Sequence, residues 1–228
     1  MFGVVAVEPI ATRELLRDAP RSLRALSREH PDGWGVAIHD ANDWVVHRST
    51  SCAADCARYG ELAEGVATRL LVAHIRQKTV GATALANTHP FRRGSFVFAH
   101  NGTIKDVASL VARSSPERLA QIEGDTDSER LFAFVMTHVD AARDVEHGVA
   151  LAVQTLHALG DIGSASFLLS CGERLYAHRL GRSLFVLIRS GAVVIASEQL
   201  TGEAWQELPE RAIVVVDNAA PQPRPLAA

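Results

Sequence analysis

The order in which apolar runs follow one another constrains this chain more than any single motif. Residues 1–7 are almost wholly apolar and read as a buried strand. Residues 12–29 place Leu15, Leu16, Leu23 and Leu26 near helical spacing, with Thr12 set to cap the start, and predict a helix. The turn-rich His30-Pro31-Asp32-Gly33-Trp34-Gly35 leads into strands at 35–39 and 44–48, a hairpin closed by Asp40-Ala41-Asn42-Asp43. A helix over 53–66, a strand over 70–76 and a long polar loop over 77–94 come next. A strand over 95–99 runs into His100-Asn101-Gly102. Residues 106–157 are helical in pattern, broken at Ser114-Ser115-Pro116 and near Gly124. Beyond Gly160 the texture changes to short strands at 166–170, 174–179, 184–189, 193–197 and 213–216. Strands, then helices, then strands again is not βαβ alternation, and it predicts an α+β layered fold.

Composition narrows the class. Hydrophobic residues are 47% and charged residues 21% of the 228, the balance of a globular protein whose core needs no staples. A net charge of −3 argues against a nucleic-acid surface and does not favour an anionic membrane. No apolar run approaches the length of a membrane span, and the first residues lack a basic secretory start. Three cysteines cannot close a disulfide framework, so the expected setting is the reducing cytoplasm. No repeat is present, and the reading is one domain over residues 1–220 with a frayed tail over 221–228.

Three polar clusters do not look like core. Ala73-His74-Ile75-Arg76-Gln77-Lys78-Thr79 ends a strand, where Arg76 either grips a carboxylate in a two-pronged contact or caps the sheet against a surface acid. His89-Pro90-Phe91 is followed by Ala99-His100-Asn101-Gly102-Thr103. Its Asn-Gly is either a tight hairpin turn or a pair of donors, one side-chain and one main-chain, for an oxygen gaining charge. Gly124-Asp125-Thr126-Asp127-Ser128-Glu129 opens a helix. It is either a Thr126/Glu129 capping box or a place where one aspartate meets an ammonium group.

Taken together in order, these motifs carry a resemblance. Asp32-Gly33-Trp34-Gly35, Ala73-His74-Ile75-Arg76 with Thr79, Asn87-Thr88-His89-Pro90-Phe91, His100-Asn101-Gly102 and Thr126-Asp127-Ser128-Glu129 resemble the class II glutamine amidotransferases of the N-terminal nucleophile hydrolase superfamily. The likeness is greatest to the small stand-alone type that includes γ-glutamyl hydrolases of ergothioneine and glutathione metabolism. The resemblance implies a four-layer αββα sandwich. It implies Arg76 on a substrate α-carboxylate, with Thr79 nearby, Asp127 on the α-ammonium, and Asn101 and Gly102 as the oxyanion hole. It implies no cofactor and a small-molecule substrate, glutamine or a γ-glutamyl amide, with a separate ammonia-accepting protein as an optional partner. His89 and His100 are expected to order the loops.

One position departs from the family. Its nucleophile is a cysteine that comes directly after the initiator methionine and uses its own α-amino group as base. Here Phe2 stands second, while Met1-Phe2-Gly3 matches the residues that succeed that cysteine in the family. The resemblance therefore implies a nucleophile two residues ahead of Met1, with a start set late. The alternative is a chain that binds a γ-glutamyl ligand without cleaving it. Cys52 and Cys56, four apart on the predicted helix, read as buried thiols rather than a zinc pair, and Cys171 as core. The ten histidines form no metal motif, and a metal on His74, His89 and His100 is the weaker reading.

Overall fold

A strand buried on both faces needs apolar side chains at every position, and the runs above are of that kind. The computed structural model describes residues 1–226. In chain order the elements are β1 (Phe2–Ala11), α1 (Leu23–Leu26), the hairpin β2 (Trp34–Asp40) and β3 (Asp43–Ser49), α2 (Ala57–Gly65) and β4 (Ala67–Ile75). Next come β5 (Phe91–Arg93), β6 (Phe96–Ile104), α3 (Val107–Val111), α4 (Pro116–Leu119), α5 (Asp127–Ala141) and α6 (Val145–Ala158). The last third holds β7 (Gly163–Ser170), β8 (Arg174–His178), β9 (Phe185–Arg189), β10 (Ala192–Ala196), β11 (Gln206–Glu207), β12 (Ile213–Asp217) and β13 (Arg224–Pro225).

The strands form two antiparallel sheets. One has seven strands in the order β11-β9-β10-β1-β4-β2-β3, the other six in the order β13-β12-β8-β7-β6-β5. Successive side chains of a strand point to opposite faces, and here each face meets a different core. Val5, Leu70, Val72, Val193 and Ile195 of the first sheet meet Val97, Ala99, Leu168, Leu175 and Val216 of the second. The alternate residues Val4, Leu71, Ala73 and Val194 pack instead with Leu23 and Leu26 of α1 and Tyr59 and Ala63 of α2. On the far side Phe98, Phe167, Leu169 and Val215 pack with Leu131, Val135, Val149 and Val153 of α5 and α6. Three stacked cores make four layers, αββα. This is the α+β sandwich expected, and burial on both faces explains why its strands read as continuous apolar runs.

Several element boundaries differ from expectation. The helix expected over 12–29 is a π-helical turn, Glu14–Asp18, and the short α1. Pro20 disfavours helical backbone in the residue before it, and Ala19 is extended at φ −62° and ψ 149°. Thr12 does not cap with its hydroxyl, which donates to Val66 O instead. The helix expected over 53–66 is a 3₁₀ turn, Ala53–Asp55, and then α2. Cys52 and Cys56 occupy the extended residues that open these two pieces, so they do not share a helical face. The stretch 106–157 gains a third break between α5 and α6, where Asp144 caps α6 by accepting from His147 N. Loop 77–94 contains a 3₁₀ turn and β5. Of the tail 221–228, Arg224 and Pro225 pair with β12 and Arg224 bonds Glu146, while residues 227 and 228 lie outside the described residues.

Candidate active site

Residues far apart in sequence share one cavity of about 250 Å³, and Arg76, Thr79, Asn101, Gly102 and Asp127 all line it. The sequence placed these five in three separate clusters; the fold brings them together.

Arg76 follows the last residue of β4. Its main chain is fixed from both sides, with its N–H donating to Gly33 O at 2.7 Å and its carbonyl accepting from Asp32 N at 3.0 Å. This is the work of the Asp32-Gly33 turn, whose Asp32 carboxylate also accepts from Lys78 N. The guanidinium is almost wholly buried. Its Nη2 donates to Val80 O at 2.9 Å, while Nη1 has no partner. Burial pulls its pKa down, offset in part by the charges of Asp32 and Asp125. A buried cation with a free donor is a costly arrangement until an anion arrives. Thr79 lies on the exposed loop beyond.

Asn101 and Gly102 lie inside β6, not at a turn. Asn101 pairs with Ser166 and Gly102 with Ala165 across the β6–β7 ladder. The hairpin-turn alternative for Asn-Gly is therefore excluded. Glycine is needed for another reason: a Cβ at residue 102 would lie 2.1 Å from Ser164 O. His100 sits beside it, buried. Its Nε2 lies 3.0 Å from Ser164 O and its Nδ1 2.9 Å from Ser128 Oγ. A carbonyl only accepts, so Nε2 carries the proton and Nδ1 accepts from Ser128. Burial lowers the His100 pKa, against the raising effect of Asp127, which keeps this neutral form.

Asp127 is the first residue of α5. Thr126 Oγ1 accepts from Glu129 N, so the expected cap exists. Glu129 does not complete the box. Its carboxylate accepts from Glu123 N and Gly124 N and pairs with Arg93 at 2.8 Å. The buried Asp127 carboxylate accepts from Ile104 N at 2.7 Å and from Ser128 N at 3.0 Å. Asp125 is spent differently. It accepts from Asn87 Nδ2 at 2.5 Å, and its N–H donates to Asn87 Oδ1 at 3.0 Å. That exchange ties loop 77–94 to the start of α5 and leaves Asp127 as the aspartate of this motif that lines the cavity.

His74, His89 and His100 do meet. All three line the cavity, and the His74 and His89 rings lie 4.4 Å apart. His89 is held between His74 and Phe91, and neither of its ring nitrogens has a partner. Burial pushes His74 and His89 well below the usual histidine pKa, so both are neutral. Among the described residues no cluster of three or more His, Cys, Asp or Glu is placed to hold a metal. Met1, Arg182, Ser183, Ser197 and Glu198 also line the cavity; the sequence assigns only the stretch from Ser197 to Trp205 to the leaving-group side of the pocket and misses Arg182 and Ser183. Ser197 Oγ lies 2.9 Å from the Met1 nitrogen, and Ser183 Oγ donates to Ser197 O. Arg182 and Ser183 belong to no sequence motif that would have marked them.

Comparison with known proteins agrees with the motifs. The profile of the class-II glutamine amidotransferases matches residues 19–192. The chain is 29% identical to a γ-glutamyl-hercynylcysteine sulfoxide hydrolase of Mycobacterium tuberculosis, over 91% of this chain and 88% of that protein. It is 30% identical to a putative glutamine amidotransferase of Haemophilus influenzae, over 65% of this chain. The chain spans 52% of that relative's length and 64% of another's. A solved glutamine aminotransferase class-II domain protein from Silicibacter pomeroyi superposes with a TM-score of 0.70 at 21% identity, over 100% of this chain and 99% of that one. On the profile match and the fold, the chain belongs to the class-II glutamine amidotransferases.

Proposed function

We propose that the cavity binds the α-amino-acid head of glutamine or a γ-glutamyl amide, and that a cysteine joined ahead of Met1 cleaves the γ-amide through a γ-glutamyl thioester. The observation that carries this is the pairing of opposite charges in one cavity. Arg76 offers an unpartnered buried Nη1 and Asp127 a buried carboxylate, with Asn101 and Gly102 lining the same space. An α-amino acid needs one cation and one anion on separate elements. In this reading Arg76 takes the α-carboxylate, helped by the Thr79 hydroxyl, and Asp127 takes the α-ammonium. Residues 1–220 act as one domain. The relatives named above favour a γ-glutamyl hydrolase or amidotransferase.

The chemistry is set by the nucleophile's place. Met1 lines the cavity, and in this reading the cysteine joined ahead of it reaches the same space. Its α-amine takes the thiol proton, and the thiolate attacks the γ-carbonyl carbon. The carbonyl oxygen becomes an oxyanion, held by the Asn101 amide and the Gly102 N–H. Collapse breaks the C–N bond, and the leaving amine takes the proton. Water then attacks the thioester, the S–C bond breaks, and glutamate and the free thiol are released. The product amine diffuses away or, where it is ammonia, passes to a separate acceptor protein. Three unpaired cysteines fit a reducing, cytoplasmic setting.

A second reading has an observation of its own. Cys52, Cys56 and Cys171 are not among the residues lining the cavity, and Phe2 is buried in the core shared with α1 and α2. In this reading the cavity holds no cysteine among the described residues and binds its ligand without cleaving it. One experiment separates the two. Glutamate release from glutamine and γ-glutamyl peptides is assayed for the 228-residue chain and for a form extended by Met-Cys-x, and thermal stability is followed with millimolar ligand. Release by the extended form alone supports the enzyme. A ligand-induced rise in melting temperature with no release by either form supports the binding protein. Neither effect would defeat both.

A further inference from the structure

The cavity does not end at the amino-acid head. Leu26, His30, Ser183, Glu198 and the exposed Arg182 also line it. Arg182 sits in the loop between β8 and β9, and that loop is pinned on several sides. Ser166, the ladder partner of Asn101, donates its hydroxyl to Arg182 O at 2.8 Å and accepts from Leu180 N at 3.0 Å. Gly181 N donates to Glu210 at 2.7 Å, and Ser183 donates to Ser197 O at 3.2 Å. The backbone that carries Arg182 is therefore fixed against the same strand pair that presents Asn101.

The Arg182 guanidinium has no hydrogen-bond or ion-pair partner among the described residues, although the surface around it is rich in such pairs. The acid that shares the rim, Glu198, is taken by Arg21 at 2.6 Å. At the head end Arg76 and Asp127 balance each other. The rim thus keeps one cation to spare. Release of ammonia from glutamine has no use for it, because that leaving group bears no anion. An α-amino acid or peptide released from a γ-glutamyl amide has a carboxylate one carbon from the scissile nitrogen when a single residue follows.

We infer that Arg182 pairs with a carboxylate on the leaving half of the substrate, and that this cavity takes γ-glutamyl amino acids in preference to glutamine. The inference rests on the proposal that the γ-glutamyl head sits between Arg76 and Asp127. Arg182 is then a specificity residue for the amine half, supplying a charge-assisted contact to a planar carboxylate.

The test is calorimetric titration of the 228-residue chain with glutamine, γ-glutamylglycine and γ-glutamylglycinamide. The last two differ only in the carboxylate. The expected result is that γ-glutamylglycine binds about tenfold tighter than the amide, the worth of one charge-assisted contact. Arg182→Gln should bring that ratio close to one, and Arg182→Lys should keep part of it. Should the isolated protein turn the ligands over, the same ratio is read in kcat/KM. A ratio near one in the parent chain, or one that survives Arg182→Gln, with glutamine still bound, overturns the role of Arg182 and leaves the head site standing. If none of the three ligands binds, the head site itself is wrong, and this inference falls with it.

Discussion

His178 should make this protein acid-labile by a predictable amount. It ends β8 with no exposure, its ring 5.3 Å from Phe167 and 5.1 Å from His157. Nδ1 lies 3.0 Å from Ala212 O and must carry the proton, while Nε2 is buried without a partner. A second proton would place a charge where nothing accepts it, and burial lowers the pKa from 6.5 to about 3. The unfolded chain, titrating near 6.5, binds the proton first. Stability is therefore complete above that value and is lost as pH falls through 6.5 toward 3, at about 1.4 kcal/mol per pH unit. At about pH 5 the loss from this one group is about 2 kcal/mol, against a total of roughly 5–15 kcal/mol for an ordinary domain. Other buried groups add in the same sense: His74, His89, and the Met1 amine, which burial lowers to about 5. The slope difference between variants isolates His178. Urea unfolding at pH 7.5, 6 and 5 is measured for the parent, His178→Phe and His178→Leu at fixed ionic strength. Both variants lose the bond to Ala212 and start less stable, yet each should recover about 2 kcal/mol relative to the parent by pH 5. A stability gap that stays constant with pH would refute the argument.

The site makes further predictions. Arg76→Ala and Asp127→Asn should each weaken glutamine or γ-glutamyl ligand binding by about tenfold or more, read by calorimetry, with the fold checked by thermal melting. In a chain bearing the upstream cysteine, Asn101→Ala should lower kcat by about 10²–10³ with a smaller change in KM; an unchanged kcat would remove it from the oxyanion site. Gly148 lets α6 approach α5, since a Cβ there would lie 2.5 Å from Val139 Cα and 2.9 Å from His138 O. Gly148→Ala should cost about 1–3 kcal/mol and lower the melting temperature by roughly 2–10 °C.

Proline and the tertiary fit account for where the sequence reading broke down. Leu15, Leu16, Leu23 and Leu26 are all core residues, as their spacing indicated, yet they sit on two separate turns because Pro20 interrupts the segment. Asn101-Gly102 has the composition of a turn and lies in mid-strand, because Ala165 and Ser166 pair with it and Ser164 O leaves no room for a Cβ. Local chemistry alone cannot separate those outcomes. The Asn87 motif is likewise silent on its partner until the fold closes its two-way bond with Asp125.

By itself the sequence determined the strand–helix–strand order and the buried first strand, and its ordered motifs nominated Arg76, Thr79, Asn101, Gly102 and Asp127. Apolar periodicity and ordered polar motifs are local properties, and they survive being read in one dimension. Only the tertiary structure showed what Asp125 does, because Asn87 engages it while Asp127 lines the cavity. It alone placed Arg182 and Ser183 at the same cavity, since they reach it from a loop that no motif connects. Convergence of distant segments depends on sheet register and layer packing, which no local pattern encodes.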